Sequence, residues 1–145
     1  GGFIPLQGVK YIIETAEILK NQKDIHFYLI GTGFQYEEMK QLVVDKKLSN
    51  ITFEGWIDYS KLSSHLNSYD VCLGIFGDTP KAQLVIPNKI FHYAAMGKSI
   101  ITMKTKAISE VFTNGKNIVL TEIAEMESTW GRHAELCQST IEIQE

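Results

Sequence analysis

Ile25-His26-Phe27-Tyr28-Leu29-Ile30-Gly31-Thr32-Gly33 is the stretch that decides the fold. A short, mostly apolar run ends in two glycines, the mark of a buried strand that stops at a tight turn. After the turn, Met39, Leu42 and Val43 recur at helical spacing, within a helix expected from about Gln35 to Lys47. Before the run, Val9, Ile12, Ile13, Ala16 and Leu19 do the same from Gly8 to about Lys20. The alternation then continues. Asn50-Ile51-Thr52-Phe53 reads as a strand stopped by Gly55, and Tyr59 to Leu66 as a short helix. Val71-Cys72-Leu73-Gly74-Ile75-Phe76 reads as a strand running out into a loop at Gly77-Asp78-Thr79-Pro80. Pro87 is expected as the first residue of a helix that carries Ile90, Phe91 and Ala94 and stops at Gly97. Ser99 to Met103 is a strand, Ile108 to Phe112 a short helix, Asn114-Gly115 a turn, and Asn117 to Leu120 a last strand. Strands that are nearly continuous in apolar residues and alternate with helices imply an α/β fold. The expectation is a parallel sheet of about six strands, with helices on both faces.

Composition bounds the partners. The chain has 145 residues, 44% of them hydrophobic, and a net charge of -3. That is the size of one domain with a packed core, and no basic excess points to nucleic acid. No run of about 18 apolar residues is present to span a bilayer. The two cysteines, Cys72 and Cys137, are far apart, and Cys72 sits in an apolar run as a small buried residue. A reducing, cytoplasmic compartment is expected. The chain opens on Gly1 rather than Met, and Gly1-Gly2-Phe3-Ile4-Pro5 reads like the exit from a strand. It is therefore expected to be a piece of something longer. From Glu125 onward the apolar residues are scattered, and that segment reads either as a helix packed back on the domain or as poorly ordered.

In an open parallel sheet, ligands gather at the C-terminal ends of the strands. Three loops there carry candidate chemistry. Gly31-Thr32-Gly33 serves either a tight turn or a close backbone approach to a ligand. Gly77 to Lys89 contains Asp78, Lys81 and Lys89 and precedes the helix start at Pro87. Its lysines are either solvated or, with the helix N-terminus, a diphosphate cradle. Gly55-Trp56-Ile57-Asp58 places a Trp just past a strand end, read first as core and second as a flank for a flat ring. The histidines, His26, His65, His92 and His133, lack metal-type spacing with acids or cysteines. His92 stands out because it lies about one turn after Asn88. A nicotinamide or flavin site would need a third glycine after Gly31-Thr32-Gly33-Phe34-Gln35-Tyr36, and none follows.

Taken in order, several landmarks resemble the group 1 glycosyltransferases. They are Gly2-Phe3-Ile4-Pro5-Leu6-Gln7-Gly8-Val9, Leu29-Ile30-Gly31-Thr32-Gly33, Phe53-Glu54-Gly55-Trp56 and Asp70-Val71. The stretch Val85-Ile86-Pro87-Asn88-Lys89-Ile90-Phe91-His92-Tyr93-Ala94-Ala95-Met96-Gly97-Lys98-Ser99-Ile100 continues the match, and Ser109-Glu110-Val111-Phe112 closes it. The resemblance implies one half of a GT-B fold, in which two Rossmann-like domains face across a cleft. Residues 1–122 would be the C-terminal domain, which binds a nucleoside diphosphate sugar, and 123–145 a C-terminal segment unlike the family. The reaction implied is glycosyl transfer with retained configuration and no bound metal or other cofactor. The missing partner would be the N-terminal acceptor-binding domain. Any membrane-surface association, at the inner face, would come through that missing half.

The resemblance also places site residues. Gly31 and Gly33 would lie beside the nucleotide, Trp56 and Ile57 near the base, and the backbone from Leu84 and Val85 to Pro87 against the diphosphate. The family often has two glutamates seven residues apart on this loop and helix, and those positions hold Leu84 and His92 here. Its basic pair near the domain start falls at Gly2 and Gln7. A subset carries Pro-x-Lys in the helix instead, as Pro87-Asn88-Lys89 does. Lys89, with Lys81, is therefore expected to neutralise the diphosphate, and His92 to hydrogen-bond a ribose hydroxyl. The competing expectation is a transferase-like binding or scaffold module that has lost its chemistry.

Overall fold

The computed structural model describes residues 2–116 and 118–122. The segment 123–145, with His133 and Cys137, lies outside the described residues, as does Asn117. Within the described residues the alternation expected from the sequence is present. A 3-10 turn at Pro5–Gln7 leads into α1 (Val9–Ile18), β1 (Phe27–Ile30), α2 (Tyr36–Asp45), β2 (Ile51–Gly55) and α3 (Tyr59–Asn67). Then come β3 (Val71–Leu73), α4 (Pro80–Leu84), α5 (Asn88–Ala95), β4 (Ser99–Met103), α6 (Lys106–Val111) and β5 (Val119–Thr121).

All strand pairs are parallel. β1 pairs with β2 from Phe27 opposite Ile51 to Ile30 opposite Gly55. β3 pairs with β4, and β4 with β5. The expectation of about six strands in one sheet needs correction. The described residues form five strands in two hydrogen-bonded groups, β1-β2 and β3-β4-β5. Helices cover both faces, as the side chains of β4 show. Successive residues of a strand point to opposite faces. Ile100 joins a cluster with Ile90, Ile108 and Ile118, from α5, α6 and the entry to β5. Ile101 and Met103 join the larger cluster of Val9, Ile13, Ala16, Met39 and Val43, from α1 and α2.

Two helix starts differ from expectation. Pro87 is the N-cap of α5 and not its first residue, because its ψ of 142° holds it in extended backbone. The loop expected from Gly77 to Lys89 contains a helix, α4. Thr79 caps it, accepting from the Ala82 amide at 3.3 Å, and Pro80 fills its first position. That Thr-Pro pair is a helix-start signal in the sequence.

The Pro5–Gly8 turn is docked backbone to backbone on the chain that leaves β3. The Phe76 amide donates to the Gln7 carbonyl at 3.1 Å and the Gly77 amide to the Leu6 carbonyl at 3.2 Å. Gly8 has φ 66°, and a Cβ there would lie 2.5 Å from the Gly77 nitrogen. A Cβ on Gly77 would lie 2.5 Å from the Leu6 carbonyl oxygen. Both positions must therefore be glycine. Gly8→Ala combines left-handed strain of about 1–2 kcal/mol with overpacking of about 1–3 kcal/mol against backbone that cannot move aside. We expect a loss of about 2–4 kcal/mol in urea unfolding. Gly97→Ala, at φ 68° but in open space, should lose only about 1–2 kcal/mol. Equal losses at the two positions would show that the backbone contact contributes nothing.

Candidate functional site

The chain leaving β1 and β3 meets the Gly2–Gly8 segment, and the start of α5 lies beside it. α5 begins without a side-chain cap: Pro87 precedes it and offers no hydroxyl or carboxylate. Its first-turn amides and the positive end of its dipole therefore face the loop region. Lys89 is the second residue of this helix. Its Nζ donates to Gln7 Oε1 at 2.7 Å, across 82 residues of sequence. The contact exists because the backbone docking above holds Gln7 beside the end of β3.

Lys89 is partly buried, whereas lysines are mostly solvent-exposed. Burial pushes its ammonium down from 10.5 to about 8. Its hydrogen-bond acceptor is a neutral amide, so the charge is held with little compensation. Tyr93, one turn further, has its hydroxyl pushed up by burial. Burial also raises the Cys72 thiol, which keeps it protonated and unreactive at neutral pH. Tyr11 donates to Asp78 Oδ2 at 3.1 Å and pins the start of the loop to α1. That hydrogen bond is the main reason that the Tyr11 hydroxyl is raised.

A cavity of about 830 Å³ opens here and runs between the two groups of strands. Gly2, Gln7, Asn88, Lys89 and His92 are among its lining residues, so the fold brings together five of the residues singled out in the sequence. The His92 ring meets Tyr59 edge-on, with centroids 6.1 Å apart. The remaining candidates stand outside the cavity lining. Trp56, read first as core, is 77% exposed, because Gly55 at φ 68° ends β2 and turns the chain outward. Ile57 beside it is partly buried. Lys81 is exposed on α4, and Leu84 at the end of that helix is 74% exposed. Val85 and Pro87 belong to the short extended link between α4 and α5.

The two glycines after β1 have structural work. The Gly31 amide bonds the Gly55 carbonyl at 2.7 Å. A Cβ on Gly33 would lie 2.5 Å from the Phe3 amide nitrogen. The sequence reading missed Gly8, Gly77 and Gln7 as the residues that hold Lys89. The signal for Gly8 was present, a glycine directly before an amphipathic helix. Among the described residues no group of three His, Cys, Asp or Glu stands close enough to hold a metal ion. Nor is any described helix long and apolar enough to cross a membrane.

Comparisons with known proteins agree with this architecture. The family model for group 1 glycosyl transferases matches residues 1–136. An uncharacterised glycosyltransferase of Methanocaldococcus jannaschii is 24% identical over 129 residues, which is 84% of this chain and 32% of that protein. The chain thus spans about a third of that relative's length. S. aureus TarM, solved with fondaparinux, alpha-GlcNAc-glycerol and UDP, superposes with a TM-score of 0.74 at 15% identity, over 93% of this chain and 27% of TarM. Anabaena HepE, solved with UDP, gives 0.70 at 19% identity, over 100% of this chain and 38% of HepE. The catalytic domain of cholesterol-alpha-glucosyltransferase from Helicobacter pylori gives 0.70 at 14%, over 94% of this chain and 84% of that one. These likenesses show the fold.

The depressed lysine has a consequence for stability. Between about 8 and 10.5 the unfolded chain carries a proton on residue 89 that the folded chain has released. Stability therefore rises with pH through that window and is lowest below it. Lys89→Met removes the linkage. The stability of the wild type relative to Lys89→Met should climb by up to about 3 kcal/mol between pH 7.5 and 10.5 in parallel denaturant titrations. A difference that stays flat with pH would show that the ammonium is solvated.

Proposed function

This chain belongs to the group 1 glycosyltransferases, and from that premise we propose that it binds the donor, a nucleoside diphosphate sugar. One observation carries the proposal: a partly buried ammonium, Lys89, held against a neutral side chain at the uncapped start of α5. An under-compensated buried cation beside oriented amides is arranged for an anion. Gln7 occupies one of the positions where the family resemblance places a basic residue. Here the charge reaches that position from α5 instead. Solved structures of the same fold that hold UDP, TarM and HepE, support a nucleotide as the ligand.

In this arrangement the diphosphate lies against the amides of Asn88 and Lys89, with Lys81 as a further cation on the loop. His92 offers a ring nitrogen to a ribose hydroxyl. The exposed face of Trp56, with Ile57, flanks the base. The turn at Gly31 and Gly33 borders the nucleotide, and the link of Leu84, Val85 and Pro87 borders the phosphates. When the bond from the sugar C1 to the phosphate oxygen breaks, negative charge grows on the departing diphosphate. Lys89 and the α5 amides are fixed beforehand where that charge develops, which lowers the barrier without a nucleophile from this domain. Retention of configuration follows the family resemblance. So do the acceptor-binding domain, the role in polysaccharide assembly and the cytoplasmic setting near a membrane.

Leu84 and His92, where the family often has glutamates, favour a second reading as a binding or scaffold module. One titration separates the two. We expect Lys89→Ala to weaken nucleoside diphosphate binding about ten- to a hundredfold and to leave the bare nucleoside nearly unchanged. Because the ammonium titrates near 8, wild-type diphosphate affinity should fall as pH rises past that value, while nucleoside affinity should not. Circular dichroism of the variant checks its folding. Calorimetry with UDP, GDP and ADP that finds no binding to the wild type would leave the scaffold reading.

Residues 1–145 alone are expected to show no sugar transfer to an acceptor, because positioning the acceptor and excluding water belong to a facing domain. Robust product formation from a nucleoside diphosphate sugar by this chain would contradict that division of labour.

A further inference from the structure

Three side chains in the cavity lining stand in the order of the parts of a nucleotide. Lys89 and His92 are three residues apart on α5, so they project from the same side of the helix, about one turn from each other. Tyr59 comes next. It is the first residue of α3, and its ring meets that of His92 with centroids 6.1 Å apart and planes at 78°. All three line the same cavity. On the donor-binding reading the diphosphate lies at Lys89 and a ribose hydroxyl at His92. The base is bonded directly to the ribose, so it comes to rest next to His92, and the flat side chain there is Tyr59.

Trp56 is the other exposed ring on this stretch, and its position differs. Gly55, at φ 68°, ends β2 and turns the chain outward, so Trp56 stands outside the cavity lining. Tyr59 is nearly as exposed, at 74%, yet it lines the cavity and its backbone is fixed. Asp58 caps α3, with Oδ1 accepting from the Ser60 amide at 2.9 Å. That sets Tyr59 on the first position of the helix. A base that covers its ring takes the place of water on an apolar face. A tyrosine has only two side-chain torsions to immobilise, and His92 already orients this one, so little ordering cost opposes the contact.

We propose that Tyr59 is the platform on which the base of the donor nucleotide stacks, with Trp56 left at the margin. The inference rests on the donor-binding reading and adds to it a residue outside the landmarks of the family resemblance. Stacking on an aromatic face accepts any base. Tyr59 therefore supplies affinity for the nucleoside and leaves the choice of base to other groups.

The test uses the 145-residue chain with inorganic pyrophosphate and with whichever of UDP, GDP and ADP binds most tightly. NMR titrations are run on the wild type, Tyr59→Ala, Tyr59→Phe and Trp56→Ala, with circular dichroism checking that each variant folds. We expect Tyr59→Ala to weaken the nucleoside diphosphate about tenfold and to change pyrophosphate binding less than about twofold. Tyr59→Phe should keep wild-type affinity, and Trp56→Ala should lose less than about threefold. The proton resonances of the bound base should lie upfield with the wild type, as protons above an aromatic face do, and lose that shift with Tyr59→Ala. Unchanged diphosphate affinity in Tyr59→Ala would overturn the proposal, and a loss in Trp56→Ala in its place would move the base to Trp56. An equal loss of pyrophosphate in Tyr59→Ala would also overturn it, by making Tyr59 structural. So would a loss in Tyr59→Phe as large as in Tyr59→Ala, which would assign the effect to the hydroxyl. In each of these cases wild-type binding stands and the donor-binding reading survives. A wild type that binds neither the diphosphates nor pyrophosphate would instead remove that reading, and the role of Tyr59 with it.

Discussion

The close approach of two backbones, at Gly8 and Gly77, is the constraint on which the site depends. Ile75 and Phe76 are fully buried, and the glycines around them leave room for other chain. A Cβ on Gly74 would collide with Thr102, whose hydroxyl serves the Ile75 backbone at 3.1 and 3.2 Å. A Cβ on Gly77 would collide with the turn at Pro5–Gln7. The chain leaving β3 is thus clamped from β4 on one side and from the N-terminal turn on the other. The loop that leads to α4 and α5 departs from a fixed point. Gln7 comes to rest beside α5 for the same reason, and Lys89 finds its acceptor there.

That placement costs stability and, on the proposed reading, prepares the position for an anion. A lysine on the surface would cost nothing and hold a phosphate weakly, through solvent. Partial burial makes its charge expensive in the empty protein and valuable when an anion arrives, since the same low dielectric magnifies both effects. The start of α5 adds to this. Pro87 brings no capping side chain, so the first amides of the helix stay available. The two features lie within two residues, Pro87 and Lys89, and neither needs an acidic or nucleophilic side chain nearby. This suits chemistry in which a nucleoside diphosphate must leave.

The split sheet and the clamp are related. The Gly2–Gly8 segment is hydrogen-bonded to the ends of both strand groups, through Phe3 to Thr32 and through Leu6 and Gln7 to Gly77 and Phe76. It bridges β1 and β3 above a groove in which they are not paired. The larger apolar cluster spans the same gap, taking Phe27 and Leu29 from one group and Ile101 and Met103 from the other. Side-chain packing and one short segment hold the halves in register where a backbone ladder does not.

The sequence alone determined the parallel α/β fold, because it rests on local facts. Apolar runs of strand length end in glycine, and between them the apolar spacing is helical. Family membership was legible too, since its landmarks keep their order along the chain. Lys89 and His92 could be singled out from the helix start at Pro87. What local pattern could not carry was anything between residues distant in sequence. Trp56 read as core because it is large and apolar, yet the left-handed turn at Gly55 turns the chain outward there. For Lys89 local pattern left two readings open, a solvated side chain or part of a diphosphate cradle. Its burial depends on Gln7, 82 residues away, and on a glycine pair that lets two backbones touch. The division of five strands into two groups is of the same kind. A strand's own sequence says that it will be buried, but only the assembled backbone decides which neighbour satisfies its hydrogen bonds.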